Sequence, residues 1–109
     1  MLPKANRLNL ARDFRRFKER GKSIETPYFR LTYLPAPTPR FVFVVTNRIG
    51  KSVERNRARR LMREVVRSRL TTLPPMEAVL IARGKIVTAT YENIESSFNQ
   101  ALSKISLPR

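Results

Sequence analysis

The sequence predicts an α+β fold in which helices pack on a small β-sheet. Three observations predict this class: apolar residues recur at helical spacing towards both ends of the chain, an arginine-rich stretch between them carries an apolar stripe, and three short runs are rich in aromatic and β-branched residues. With 109 residues and 41% apolar content, the chain has the size of one domain with one modest core. We expect residues 1–109 to form a single domain with the order α, β, β, α, β, α.

The first half of the chain predicts one helix and two strands. The helix extends from about Leu10 to Arg20, with Asn9 as a candidate N-cap and Gly21 as a candidate stop. Residues 28–34 (YFRLTYL) and 40–46 (RFVFVVT) predict strands, and the second is nearly continuously apolar, as in a buried strand. The proline-rich residues 35–40 between them are incompatible with a helix. We assign four aromatic residues to the core, namely Phe17, Phe29, Phe41 and Phe43, and expect Tyr28 or Tyr33 on an exposed face of the sheet.

The second half predicts an arginine-rich helix, a strand and a last helix. The stretch SVERNRARRLMREVVR, residues 52–67, holds six arginines and has Ser52 as a candidate N-cap, and we extend its helical wheel over residues 53–70. Prolines in TTLPP, residues 71–75, end it. Residues 77–83 (EAVLIAR) predict a buried strand, and residues 90–105 carry apolar side chains at helical spacing.

The arginine-rich helix has two chemically different faces. On a helical wheel, the residues near Ala58 form an apolar stripe that would pack on the sheet, and they are Leu61, Met62, Val65 and Val66. The opposite side carries Asn56, Arg60, Arg63 and Arg67, while Arg55 and Arg59 flank one edge of the stripe and Arg57 flanks the other. Only Glu54 and Glu64 interrupt this basic surface. A solvated face is the common explanation of a basic helix, but the choice of arginine favours bidentate phosphate contact.

The overall charge points to a polyanionic partner. The 23 Lys and Arg residues against 8 Asp and Glu residues give a net charge of +15, which raises self-repulsion in the folded chain. No apolar run reaches the length of a membrane span or a signal-peptide core, so we expect a soluble cytoplasmic protein. The absence of Cys and His removes the commonest metal ligands and the commonest general base. The few carboxylates show no spacing typical of a metal site, so we expect no catalytic residue and no metal ligand in this chain.

The stretch NRIGKSVERNRARRLMRE, residues 47–64, resembles the signature of the bacterial ribonuclease P protein subunit. That signature is a basic turn with Gly followed by Val-x-Arg-Asn-Arg-x-x-Arg-x-x-Arg-Glu, and the similarity extends over nearly the whole chain. The resemblance implies a two-layer α/β sandwich with the order αβββαβα and a small mixed sheet. In that fold the arginine-rich helix forms a left-handed crossover between parallel strands, against the general right-handed rule.

The resemblance also implies a function. The family's protein assists a catalytic RNA that removes the 5′ leader of precursor tRNA, with Mg²⁺ held by the RNA and no obligate protein partner or membrane. Positions that match the family's contacts with the catalytic RNA are Arg48, Lys51, Arg55, Arg57, Arg59, Arg60 and Arg63, and Arg67 extends the same basic face. Arg55, Asn56 and Phe14 match positions that meet the single-stranded leader. Lys18 stands where the family commonly has a second aromatic residue of the leader cleft.

Two alternatives remain open from the residues alone. Phe14 could stack on a base, with Lys18 and Gly21 on the same side of the first helix, or it could belong to the core. The chain could also be a structural RNA-binding protein, such as a ribosomal protein, which shares the size, the charge and the lack of catalytic groups. Helix-turn-helix DNA binding is disfavoured because the arginine-rich helix lies between strands and lacks a short turn to a partner helix.

Overall fold

The computed structural model describes residues 2–105, apart from the side chains of Lys4 and Leu10. Its helices and strands are α1 (Leu10–Arg20), β1 (Lys22–Glu25), β2 (Phe29–Pro35), β3 (Arg40–Val44), α2 (Ser52–Arg67), β4 (Met76–Ala82) and α3 (Tyr91–Lys104). Short 3-10 helices lie at Lys4–Asn6 before α1, at Asn47–Ile49 before α2 and at Gly84–Thr88 before α3. The order αβββαβα that the resemblance implies is confirmed.

The structure differs from the predictions made residue by residue at β1, at both ends of α2 and by one or two residues at the ends of the predicted strands. Strand β1 was not predicted, because its four residues include only one apolar side chain, that of the half-buried Ile24. Helix α2 begins at Ser52, so Lys51 and not Ser52 is its N-cap residue, and α2 ends at Arg67 rather than continuing to residue 70. The backbone N–H of Ser68 still bonds to the carbonyl of Glu64, after which residues 68–72 continue as turns. Asn9 caps α1 as predicted, accepting from the N–H of Arg12 at 3.2 Å.

The sheet is mixed and has the strand order β1-β2-β4-β3. Strands β1, β2 and β4 pair antiparallel, whereas β3 pairs parallel with β4. Because parallel neighbours need a crossover, α2 provides the connection from β3 to β4. The predicted crossover between parallel strands is thereby confirmed, and its left hand stays a prediction. The C-terminal ends of β3 and β4 lie at the same end of the sheet, and α2 begins at this end.

The main core lies between one face of the sheet and helices α2 and α3. Phe29, Phe41, Met62 and Phe98 are almost fully buried there, and Phe43 packs against this core while partly exposed. Of the two tyrosines expected on an exposed face, Tyr28 precedes β2 and packs against this core while partly exposed, whereas Tyr33 is buried and does not lie on such a face. It lies two residues after Leu31 on β2, and alternate residues of a strand share a face.

Helix α1 covers part of the second face of the sheet. Phe17 of α1 packs on Leu34 and Val79 in a smaller apolar cluster, as expected for a core residue. Val42 and Ile81 contact this cluster but remain partly exposed. The second face is therefore half covered, and an open groove runs beside α1.

A buried ion network ties α1 to the sheet. Arg16 on α1 donates to Glu77 at 2.6 Å and lies 3.1 Å from Asp13, while the carboxylates of Glu77 and Asp13 are about nine-tenths or more buried. Hydrogen bonding to Glu77 raises the pKa of Arg16 further above its ordinary value. Arg40 adds a longer contact with Glu77, at 3.8 Å. The network fixes the height of α1 above the sheet, and hence the width of the groove beside it.

Candidate nucleic-acid interface

Helix α2 carries the predicted division into an apolar and a basic side. Ala58, Met62, Val65 and Val66 are buried in the main core, and Leu61 packs against it. The stripe predicted from the helical wheel is therefore confirmed. Because the stripe fixes the rotation of the helix, residues between its members are held on the outside of the molecule.

Gly50 forms the turn that starts α2. Its φ of 154° is a conformation that residues with a Cβ rarely adopt, and a Cβ there would lie 2.5 Å from Oε1 of Glu54. That oxygen accepts a hydrogen bond from the backbone N–H of Lys51 at 2.9 Å. Glu54 is therefore engaged with the helix start, where a negative charge also suits the helix dipole.

Neutral groups hold several of the outward arginines. Arg55 donates to the side-chain oxygens of Asn47 and Ser52, and Arg59 donates to Asn56 at 2.9 Å. Within residues 2–105, the one carboxylate that pairs with an arginine of α2 is Glu64, which meets Arg60 at 3.0 Å in an exposed i,i+4 pair. In the same range no hydrogen bond or ion pair involves the guanidinium groups of Arg48, Arg63 and Arg67. The surface stays strongly cationic.

One arginine of α2 lies differently from the prediction, and another makes contacts that the helical wheel does not show. Arg63 is half buried, and the wheel placed it opposite the core; with Arg59 and Arg7 it lines a groove of about 240 Å³ beside Phe41. Residues of the edge strand β3 line the same groove, so Arg63 lies beside the sheet and not fully outside it. Arg57 donates to the backbone carbonyls of Ala89 at 2.7 Å and Val87 at 3.3 Å. Arg57 thus joins α2 to the turn that precedes α3.

We expect Arg57→Gln to lower the free energy of unfolding by about 1–2 kcal/mol, because two charge-assisted bonds to backbone carbonyls are lost. Arg60→Gln removes the same charge but only an exposed ion pair, and we expect a change within about 0.5 kcal/mol. Urea unfolding of the two variants compares them directly. Equal losses would contradict a structural contribution of Arg57.

A groove of about 300 Å³ lies between α1 and the second face of the sheet. The residues that line it are Phe14, Phe17, Lys18, Gly21, Ser23, Thr32, Val79 and Ile81. Phe14 is 57% exposed, so it belongs to the groove and not to the core. A Cβ on Gly21 would lie 2.6 Å from Cγ2 of Thr32, so glycine permits the close approach of α1 to β2. The groove offers an aromatic ring and an amine side by side.

The four residues predicted to meet a leader are not all brought together. Phe14 and Lys18 line the groove beside α1, whereas Asn56 is exposed on α2 and Arg55 bonds to Asn47 beyond the end of β3. Neither Arg55 nor Asn56 lines the groove that holds Phe14 and Lys18. A ligand that meets all four must therefore extend from the groove across the end of the sheet.

A three-residue cluster at this end of the sheet was not singled out from the sequence. Glu25 on β1 accepts from Arg30 on β2 and from Arg83, which follows β4. The hydrogen bond from Arg30, followed by its charge and by Arg83, lowers the pKa of Glu25 below its ordinary value. The sequence could not predict this cluster, because Glu25 and Arg30 meet through the register between β1 and β2. The residues of β1 give no recognisable strand signal.

The described residues offer no metal site and no membrane span. In the range 2–105, no three His, Cys, Asp or Glu side chains form a group that could hold a metal ion. None of the helices in that range is both long and apolar enough to cross a membrane. Phosphate contact through guanidinium groups and base stacking on Phe14 are the chemistry that these surfaces allow.

Comparison with known proteins agrees with this geometry. The family model described as Ribonuclease P matches residues 2–106. The ribonuclease P protein component of Nitratiruptor sp. is 32% identical over 98 residues, covering 90% of each chain. That of Caldanaerobacter subterraneus is 32% identical over 110 residues, covering 98% of this chain and 95% of the relative.

Solved structures show the same fold. The ribonuclease P protein from Thermotoga maritima superposes with a TM-score of 0.82 at 27% identity, covering 92% of this chain and 97% of that one. The protein from Staphylococcus aureus has a TM-score of 0.82 at 24% identity, over 92% and 94% of the two chains, and supports the fold alone. Membership in the family is shown by the family model, which matches nearly the whole chain, and by the two relatives at 32% identity. The chain belongs to the ribonuclease P protein family.

Proposed function

We propose that this protein is the protein component of a ribonuclease P holoenzyme and binds its catalytic RNA through the basic side of α2. The observation that carries this proposal is the position of the guanidinium groups: the apolar stripe turns them outwards, and Glu64 is the one acid that pairs with them among residues 2–105. Like charges at i,i+4 destabilise the free helix by a few tenths of a kcal/mol per pair. Phosphates of a bound RNA relieve that repulsion.

The 5′ leader of precursor tRNA is the proposed second ligand. The groove beside α1 combines Phe14, on which any base could stack, with Lys18, which would attract the backbone. Neither contact depends on base identity. A leader whose sequence varies from one precursor to another needs a binding site of this kind.

Catalysis is assigned to the RNA. The protein would contribute electrostatics and positioning: its positive charge lowers the Mg²⁺ concentration that the folded RNA needs, and the groove favours precursor over mature tRNA. Mg²⁺ would be held by RNA oxygens and not by this chain. No additional protein partner is required by this arrangement.

Reconstitution tests this function. The chain is mixed with candidate catalytic RNAs at low Mg²⁺, and cleavage of precursor tRNA at the mature 5′ end is measured. We expect cleavage only when both components are present, and tighter holoenzyme binding of precursor than of mature tRNA. A chain that binds RNA without promoting cleavage or discriminating between the two substrates would be a structural RNA-binding protein instead.

Phe14→Ala is expected to reduce the preference for precursor over mature tRNA at least about fivefold, since stacking contributes about 1–3 kcal/mol per base. Its exposure means that stability should hardly change. Holoenzyme affinities for both tRNAs give the measurement, and Phe14→Tyr, which keeps an aromatic ring, serves as the control. A preference that is equally strong in the alanine variant would exclude Phe14 from leader binding.

A further inference from the structure

Strand β3 is an edge of the sheet, and only the first part of that edge is covered. The strand order places β4 on one side of β3 and no strand on the other. The N-terminal segment runs beside its start, where the backbone N–H of Leu8 donates to the carbonyl of Phe41 at 3.0 Å and Arg7 forms an isolated parallel bridge with Phe41. Helix α1 then begins at Leu10, so the chain leaves the edge there.

The backbone N–H and C=O of Phe43 face the open part of this edge. The bond from Leu8 shows that the backbone groups of Phe41 point away from β4, and residues two apart on a strand direct these groups to the same side. Among residues 2–105, no hydrogen bond from outside the sheet reaches those of Phe43. Since β3 ends at Val44, a single donor and a single acceptor are open, which is too little for another strand to pair with.

These two groups belong to the groove of about 240 Å³ between β3, the N-terminal segment and α2. Leu2, Leu8 and Phe41 line it and are themselves buried, and Phe43 contributes a partly exposed ring. The groove is smaller than the roughly 300–1,000 Å³ of sites for drug-sized ligands. Its size and apolar lining suit one flat ring system.

The groove is also cationic. Arg7, Arg59 and Arg63 line it, and within residues 2–105 none of them pairs with a carboxylate. Arg7 donates to the carbonyl of Leu2 at 2.9 Å, and Arg59 donates to the neutral Asn56. An apolar groove with an open donor and acceptor and three guanidinium groups suits a nucleobase that is flanked by phosphates. A second copy of this chain, with its net charge of +15, would instead add positive charge.

The open edge also distinguishes between bases. Adenine presents an acceptor at N7 beside an amino donor at N6, which complement the N–H and C=O of Phe43. Guanine presents a second acceptor, O6, where the carbonyl of Phe43 requires a donor. The ring of Phe43 and the guanidinium group of Arg63 both line the groove and offer planar surfaces for stacking.

We propose that the groove between β3 and α2 holds one unpaired adenine of the catalytic RNA, which the backbone of Phe43 recognises. This inference rests on the proposed binding of that RNA by α2. It adds a base-specific contact to an interface that otherwise consists of contacts with phosphates. It also gives the open edge of β3 a hydrogen-bonding partner in the assembled holoenzyme.

The test begins on the RNA. Diethylpyrocarbonate modifies N7 of unpaired adenines, so its reaction with the catalytic RNA is mapped with and without the protein. We expect the protein to protect an unpaired adenine at N7. Replacing that adenosine by 7-deazaadenosine, which lacks the N7 acceptor, should weaken binding about threefold to tenfold, the range of one hydrogen bond. Guanosine at this position should weaken binding at least as much.

Combining protein and RNA variants then places the base in the groove. Phe43→Leu removes the ring and should weaken binding of the unmodified RNA about fivefold or more. It should have no further effect on an RNA that is abasic at the protected position, because interacting groups are not additive. Arg63→Gln should also lose less affinity with the abasic RNA than with the unmodified one. Arg67→Gln, at a position outside the groove, is the matched control and should weaken both RNAs by the same factor.

Thermal unfolding shows whether Phe43→Leu keeps its fold, and Arg63→Gln provides the same comparison if it does not. Effects of protein and RNA variants that simply add overturn the inference. So does the absence of any protected adenine while the protein binds the RNA with a strong salt dependence, and in both cases the proposed binding through α2 stands. RNA-free dimers that Phe43→Leu dissociates would assign the edge to a second copy instead. A protein without salt-dependent affinity for any candidate RNA contradicts the proposed function, and this inference with it.

Discussion

Replacing Arg48, Arg60, Arg63 and Arg67 together by glutamine is expected to abolish most of the affinity for the catalytic RNA. Each phosphate contact contributes about −0.9 to the slope of log affinity against log salt. A wild-type slope of about −4.5 should therefore change to about −1 when four contacts are lost. At 0.1 M salt this corresponds to a loss of affinity on the order of a thousandfold. The variant should fold, because none of these side chains lies in the core and like charges are removed.

A matched variant separates position from charge. Replacing Arg15, Arg20, Lys22 and Lys104 by glutamine also removes four positive charges, but from α1, the start of β1 and the end of α3. We expect this variant to keep most of its affinity for the catalytic RNA in a filter-binding titration. Equal losses in both variants would mean that net charge alone, and not the basic side of α2, determines binding.

Arg16→Met is expected to lower the free energy of unfolding by about 2–3 kcal/mol, less than the 3–5 kcal/mol of a fully buried pair because Arg16 itself is half exposed. The substitution leaves the buried carboxylates of Asp13 and Glu77 with weaker contacts, at 3.4 Å to Arg12 and 3.8 Å to Arg40. Because this network holds α1 over the sheet, precursor discrimination should fall too. Affinity for the catalytic RNA should be retained, since α2 packs on the opposite face.

Arg15→Met is the matched control for this prediction. Arg15 lies next to Arg16 on α1, and its ion pair is an exposed i,i+4 contact with Glu19 at 3.2 Å. Its replacement should change stability by no more than about 0.5 kcal/mol. Urea unfolding of both variants, together with tRNA affinities, measures the two effects. If Arg16→Met and Arg15→Met had the same free energy of unfolding, a structural role for the ion network would be contradicted.

Helices and strands with a clear residue pattern of their own could be predicted from the sequence. The apolar stripe of α2 follows from the helical period alone, and burial of Ala58, Met62, Val65 and Val66 confirms it. The strong strands β2, β3 and β4 carry enough aromatic and β-branched residues to be recognised one by one. Such signals are local, so they need no knowledge of which elements meet.

Features that depend on long-range pairing were not predictable. Strand β1 forms because β2 offers it an edge, and its own residues KSIE have little strand preference. The contacts from Arg16 to Glu77 and from Arg83 to Glu25 join residues far apart in the chain, which only the sheet register brings together. The sequence could not decide between Tyr28 and Tyr33 for the same reason, because which face of β2 is covered depends on where the helices pack.

The salt dependence of binding between this protein and the catalytic RNA is the most direct test of the central claim that α2 presents a surface for phosphates. With about five phosphates neutralised, filter binding over a series of salt concentrations should give a log-log slope near −4.5. A slope near zero would contradict the account, because it would mean that the outward guanidinium groups of α2 do not displace counterions from the RNA.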